Sequence, residues 1–246
     1  MYRWAALLGA VVFLCAPAPV ARMTAELGPA VVTAAVGDLA EEPAKDSIQD
    51  PAVPETDPAA PDTGAALAAL YSDAGQIADW ARSPVLSAHE AGLLIGSGGR
   101  FRPLAPVTRA ELAMILSRLD ETLTRSFVAL GDVPEGAWYR DAALYAAETG
   151  LLDAPGGAFR PQHAATREEV AAAVARLYGL DTKAAQDAQA AGAFTVGDLT
   201  YAAAAYRPYI AAVFYEGIMV GNGVNFRPKS SITRQEMAKV LGTLLT

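Results

Sequence analysis

Three times in 246 residues this sequence writes Phe-Arg-Pro, four residues, and then Thr-Arg-x-Glu at the head of an apolar stripe. The copies are Phe101-Arg102-Pro103 with Thr108-Arg109-Ala110-Glu111, Phe159-Arg160-Pro161 with Thr166-Arg167-Glu168-Glu169, and Phe226-Arg227-Pro228 with Thr233-Arg234-Gln235-Glu236. A recurring unit of this kind must bury its apolar face against its own copies, so the repeat constrains the fold before anything else does. Counting back from each threonine fixes the register. An Asp lies 35, 34 and 35 residues earlier (Asp73, Asp132, Asp198), an aromatic 28, 28 and 27 earlier (Trp80, Trp138, Tyr206), and a Gly 16 earlier each time (Gly92, Gly150, Gly217). The repeats occupy about 68–120, 127–179 and 194–246, with looser joins at Asp120–Ser126 and Leu180–Ala193.

Within each repeat the pattern predicts helix, turn, helix. The first helix covers Trp80–Ala91, Tyr139–Thr149 and Arg207–Glu216 and stops at its glycine. Glycine-rich turns follow: Gly96-Ser97-Gly98-Gly99, Pro155-Gly156-Gly157 and Gly221-Asn222-Gly223. Phe-Arg-Pro is expected to be extended, because a residue before proline is pushed out of the helical region. The second helix carries Leu112, Ile115, Leu116 and Leu119, then Val170, Ala173, Val174 and Leu177, then Met237, Val240, Leu241 and Leu244. Each set is the i, i+3, i+4, i+7 stripe of an amphipathic helix. Three equivalent stripes are expected to satisfy one another in a central three-helix bundle. The fold class read from this pattern is mainly α.

Thr and Glu of Thr-Arg-x-Glu form a capping box, with the hydroxyl taking the N3 amide and the carboxylate returning to the N-cap amide. That leaves the arginine unexplained. At N1 it sits beside the positive end of the helix dipole, where a cation costs about 0.3–1 kcal/mol. Two destinations are open to it. Free amides, dipole and guanidinium together make a site for a carboxylate or phosphate ester. Alternatively the arginines pair with the chain's own acids, such as Asp73, Asp132 and Asp198. Trp80, Trp138 and Tyr206 likewise either join the core or present a face to a sugar ring. The Phe of each Phe-Arg-Pro is expected in the core, and Arg102, Arg160 and Arg227 at the surface.

Motifs for catalysis are missing. The sequence has no His-Glu-x-x-His, Gly-x-Ser-x-Gly or phosphate loop. His89 and His163 are the only histidines, lack metal-ligand spacing, and are expected to be solvated. No metal, cofactor or enzymatic activity is expected. Nor is nucleic acid, which requires a basic surface: the net charge is −8, and residues 1–62, with three basic and nine acidic side chains, hold −6 of it.

These residues resemble the S-layer homology (SLH) module, whose repeats read Phe-x-Asp, Trp, Gly-Ile/Leu, a Gly-rich turn, Phe-x-Pro, and Ile/Val-Thr-Arg-Ala-Glu. Tyr71-Ser72-Asp73, Trp80, Gly92-Leu93-Leu94, Phe101-Arg102-Pro103 and Val107-Thr108-Arg109-Ala110-Glu111 match it most fully. Asp132-Val133-Pro134, Trp138, Gly150-Leu151 and Thr166–Glu169 match in the second repeat, and Asp198, Gly217-Ile218 and Ile232–Glu236 in the third. The resemblance covers about residues 68–246. It implies a pseudo-threefold spindle with grooves between repeats, and non-covalent attachment to an acidic, often pyruvylated, cell-wall polysaccharide. Carried over by position, the ligand arginines would be Arg109, Arg167 and Arg234, assisted by Asp73, Asp132, Asp198, Trp80, Trp138, Gly96 and Gly221. The second repeat departs at Ala154-Pro155, where a Cβ is expected to narrow the groove, and at Glu168, expected to neutralise Arg167. The third has Tyr206 for Trp. Arg109 and Arg234 are therefore expected to serve better than Arg167.

Upstream of the repeats, residues 1–21 read as a secretory signal, with Arg3 as the positive start and Ala5–Ala16 as the apolar core. That run falls short of the roughly 20 residues needed to span a bilayer. Cys15, the single cysteine, lies inside it. Residues 22–64, acidic and rich in Pro and Ala, read as an extended linker. The whole points to a secreted, cell-envelope protein. The alternative is a protein-interaction or spacer module tethered to the membrane by an uncleaved N-terminus.

Overall fold

The structure, a computed structural model, describes residues 63–120 and 128–246. The expectations for the leader, for Cys15 and for nearly all of the linker lie outside the described residues. Among them the chain is mainly helical, with eight α-helices and no strands: α1 (Thr63–Leu70), α2 (Asp79–Glu90), α3 (Arg109–Leu119), α4 (Arg140–Glu148), α5 (Arg167–Leu177), α6 (Thr182–Ala190), α7 (Arg207–Tyr215) and α8 (Arg234–Leu244). No helix of the described residues is long and apolar enough to cross a membrane.

The six repeat helices lie where the pattern placed them, to within a residue. Thr108, Thr166 and Thr233 cap α3, α5 and α8 through complete capping boxes with Glu111, Glu169 and Glu236. The first helices α2, α4 and α7 each end at a glycine with φ of 68°, 72° and 70° (Gly92, Gly150, Gly217), a conformation that satisfies their last carbonyls. Two helices have no counterpart in the sequence reading. Helix α1 precedes the first repeat, and α6 fills the join read as loose, started by Asp181, whose carboxylate accepts the Ala184 amide at 2.9 Å.

The repeats close on one another at the second-helix starts. Val107, Ala165 and Ile232, the residues just before the three threonines, form a ring of three backbone hydrogen bonds. Val107 N donates to Ile232 O at 3.0 Å, Ile232 N to Ala165 O at 3.0 Å, and Ala165 N to Val107 O at 2.8 Å. All three side chains are fully buried. From this ring each second helix packs onto the next repeat's first helix: α3 on α4, α5 on α7, and α8 on α2. The stripes were expected to cover one another. Their closest helix packing is instead this cyclic hand-over, with α3 also meeting α5. Leu112, Ile115 and Leu116, their α5 equivalents, and Met237 and Leu241 are all 1% exposed or less. Phe101, Phe159 and Phe226 are fully buried, as expected, each contributing about 1.5–3 kcal/mol by the area it removes from water.

Candidate functional site

Each Thr-Arg-x-Glu start is locked into the next repeat, and its first-turn amides are occupied. Arg109 N donates to His163 O and Ala110 N to Pro161 O; Arg167 N to Ser230 O and Glu168 N to Pro228 O; Arg234 N to Ala105 O and Gln235 N to Pro103 O, all between 2.8 and 3.0 Å. The third amide goes to the capping threonine. The sequence reading supposed free amides at these helix starts. The structure gives all of them protein acceptors, because the following repeat's Phe-Arg-Pro segment lies directly over the helix end.

The three arginines are buried, with 3–6% exposure. Each Nε donates at 2.7 Å to the carbonyl of the next repeat's phenylalanine: Arg109 to Phe159, Arg167 to Phe226, Arg234 to Phe101. Each guanidinium also lies over that phenylalanine ring, 5.0–5.1 Å from its centroid. Their acidic partners are not Asp73, Asp132 and Asp198 but the next repeat's capping glutamates. Arg109 pairs with Glu169, Arg234 with Glu111 at 2.8 Å, and Arg167 with Glu236 at 3.6 Å. Thus Glu111, Glu169 and Glu236 do two jobs, one oxygen capping a helix and the other holding an arginine. Burial pushes the Arg167 and Arg234 guanidinium groups down, with Glu236 and Glu111 opposing it. Arginine starts high enough to stay charged.

The three aspartates form a different device. Asp73 accepts the amides of Phe101 and Arg102 at 2.8 Å each; Asp132 accepts Phe159 and Arg160 at 2.8 and 2.6 Å; Asp198 accepts Phe226 and Arg227 at 2.7 and 2.6 Å. The clamp overrides the extended conformation expected of Phe-Arg-Pro. Arg102, Arg160 and Arg227 have φ of 58°, 56° and 57°. Left-handed backbone costs a non-glycine residue roughly 1–2 kcal/mol, whereas two hydrogen bonds to a charged carboxylate contribute about 1.5–3 kcal/mol each, so the clamp wins. Burial alone would raise the Asp73 and Asp132 carboxyls. Their paired backbone amides outweigh it and hold both below the usual range.

Two openings lie at these boundaries. The first joins the turn of repeat one (Leu94, Ile95), Glu111, Arg234 and Trp138, with a volume of about 150 Å³. The second joins the turn of repeat two (Asp153, Ala154, Pro155), Arg160, Glu169 and Tyr206, with a volume of about 510 Å³. At the third boundary Arg167 pairs with Glu236, and Trp80 lies on α2, which packs on α8. Trp80 and Trp138 are 39% and 66% exposed, so of their two possible destinations they take the surface. Tyr206 does not stand free: its hydroxyl donates to Asp153 Oδ2 at 2.7 Å. Burial and that carboxylate push its phenol up.

Two expected departures turn out otherwise. Ala154, expected to narrow its groove, lines the larger of these two openings. Glu168 does not neutralise Arg167. It points to the third repeat, pairing with Lys229 at 2.6 Å and accepting the Ala203 amide at 3.1 Å. Gln235, at the same position in repeat three, accepts the Ala78 amide at 3.2 Å. In the second and third repeats the side chain of the variable residue of Thr-Arg-x-Glu is thus a second tie between repeats.

Gly96 and Gly221 are required for space. A Cβ on Gly96 would lie 2.3 Å from Arg100 O, and one on Gly221 2.1 Å from Asn225 O. Sequence reasoning also missed Arg118 and Arg176, which reach from the last turns of α3 and α5 to Gly92 O at 2.8 Å and Gly150 O at 2.9 Å. A basic residue nine positions after each of the first two motif arginines was the available signal; repeat three has Thr243 there. His89, expected to be solvated, is half-buried and hydrogen-bonded to the Tyr71 hydroxyl at 2.5 Å.

Residues 70–113, 130–171 and 200–238 each match the S-layer homology domain. The surface-layer 125 kDa protein of Lysinibacillus sphaericus is 31% identical over 187 residues, 71% of this chain and 15% of that protein. An amylopullulanase of Thermoanaerobacterium thermosulfurigenes is 33% identical over 151 residues, 59% of this chain and 8% of that enzyme. The S-layer protein sap of Bacillus anthracis is 33% identical over 111 residues, 45% of this chain and 13% of that protein. The chain spans at most 15% of the length of these relatives.

Proposed function

The chain belongs to the S-layer homology domain family, and we propose that residues 65–246 form a non-catalytic module that attaches to an anionic, pyruvyl-ketal-bearing cell-wall polysaccharide. In this reading residues 1–21 direct export and residues 22–64 are an acidic spacer, so the protein acts at the cell-envelope surface. The relatives support attachment over catalysis: two proteins named for surface layers and one named an amylopullulanase share this segment, which is at most 15% of each.

One observation carries the proposal. A guanidinium buried at an inter-repeat boundary, with an exposed indole across the groove, offers a fixed cation to a carboxylate and an apolar face to the sugar bearing it. Cell walls should therefore pull the purified full chain down on sedimentation. Mild acid hydrolysis of the ketals should abolish this. Sedimentation that survives ketal removal would point to another envelope partner, and release of soluble sugar would point to a hydrolase.

A further inference from the structure

We propose that Tyr71 and His89 form a proton-sensitive latch on the turn of the first repeat. The latch stands on its own geometry; its bearing on wall attachment rests on the reading above.

The Tyr71 hydroxyl stands between two groups. The Gly96 amide donates to it at 3.2 Å, and His89 Nδ1 lies 2.5 Å away. The amide can only donate, so the single phenolic proton goes to Nδ1, which accepts it as a bare nitrogen. Tyr71 is buried, with its ring 5.4 Å from the Phe101 ring and edge-on to the imidazole at 5.5 Å. Gly96 can approach because it lacks a Cβ, which would lie 2.6 Å from Tyr71 Cε1. Its neighbour Ile95 lines the first opening and gives its carbonyl to Arg234 at 2.9 Å. The other repeats lack the pair. Leu130 and Val196 stand where Tyr71 does, two residues before the clamp aspartate. Ala147 and Phe214 stand where His89 does, three residues before the helix-ending glycine. What the three turns share is a backbone tie: Ser72 N to Gly99 O, Gly131 N to Gly157 O and Gly197 N to Val224 O, at 2.8–3.0 Å.

A proton taken from solvent by His89 turns Nδ1 from an acceptor into a donor. The phenolic proton must then swing off Nδ1, and the oxygen that holds Gly96 must serve two donors or lose one. Either way a buried hydroxyl proton is left without its acceptor, and the tie to the turn weakens. The surrounding charges do not offset this. Helix α1, packed on α2, carries no charged side chain. Helix α8, also packed on α2, brings Arg234, Glu236 and Lys239. Arg234 is paired with Glu111, and Glu236 caps its own helix. On α2 itself Asp79 pairs with Arg82, and Glu90 adjoins His89. Arg118 of α3 reaches Gly92 O at 2.8 Å. Asp73, with Arg100 near it, is taken up by the Phe101 and Arg102 amides. Among the described residues no carboxylate pairs with the imidazole, so protonation costs the Tyr71 bond without gaining an ion pair in exchange.

The ¹⁵N-labelled full chain is titrated from pH 8 to pH 5, following the Gly96 and Gly157 amides and the two histidine rings, told apart with His89→Gln. The Gly96 amide should shift with the same midpoint as the His89 ring while Gly157 stays still. Tyr71→Phe keeps the ring and removes only the hydroxyl; in it His89 should still titrate and the Gly96 amide should stay flat. A Gly96 amide that ignores His89, or one that moves equally in Tyr71→Phe, overturns the latch. Capture by purified walls at the two pH values then tests its bearing on attachment. The loss of capture in acid should be at least twofold smaller for Tyr71→Phe than for the unmodified chain, and an equal loss overturns that bearing. Absence of capture at both pH values defeats wall attachment, while the amide titration still decides the latch.

Discussion

In the first repeat the carbonyl of Ile95 accepts Nη2 of Arg234 at 2.9 Å; in the third, the carbonyl at the same position, Val220, accepts the amide of Gly223 at 3.0 Å. Both turns carry a glycine whose Cβ would collide with backbone, and both feed a Phe-Arg-Pro held by an aspartate clamp. They differ in where one carbonyl points. The arginine reaching the first turn is thereby a structural tie, while Arg167, at the third-repeat boundary, makes one short hydrogen bond, from Nε to Phe226 O, and one long ion pair to Glu236. Identical motif letters do not guarantee identical jobs, because the acceptor of each arginine belongs to another repeat.

The widest separation should appear on truncating the arginines. Arg234→Ala strands Glu111 and two carbonyls at a buried boundary and should cost about 3–5 kcal/mol in urea unfolding. Arg167→Ala should cost about 1–2 kcal/mol, since it breaks one short hydrogen bond and one long ion pair. Equal losses would erase the distinction between the two turns. Gly96→Ala and Gly221→Ala test what the turns share: each forces a Cβ against a backbone oxygen and should cost about 2–3 kcal/mol.

Acid should then expose the clamps. The folded Asp73 and Asp132 carboxyls lie below their unfolded value, so their contribution is complete above that value and is lost as pH falls through the folded one. Thermal stability should decline below about pH 4, and Asp73→Asn should flatten that acid limb. The smallest effect belongs to Tyr206→Phe. Removing its bond to Asp153 should lower stability by about 1 kcal/mol and free the ring of the second groove, seen as faster exchange of residue 206 ring signals.

Much of the molecule was legible because its signals are local or periodic. The capping boxes need only residues three apart, and the stripes only one helix. The phenylalanine plugs follow from repetition of an apolar residue before Arg-Pro. Helix α6 left a signal too, Asp181 ahead of an Ala-rich run, which falls outside the repeat register. The arginine partners left none. Arg234 bonds Phe101, 133 residues away, and Ile95, 139 residues away. The clamp is intermediate: the aspartate spacing was visible, but its target was backbone, which carries no sequence signature.

The sequence by itself determined that there are three repeats, where the six repeat helices start and stop, and which side chains of their stripes are core. Those outcomes follow from periodicity and from bonds within one turn of helix. Only the tertiary structure decided that the aspartates clamp backbone, that Glu168 and Gln235 tie neighbouring repeats, and that the arginines are unequal. A guanidinium is satisfied or left open by the direction of a carbonyl on a different repeat. That direction hangs on the backbone of a turn with left-handed glycines at Gly221 and Gly223.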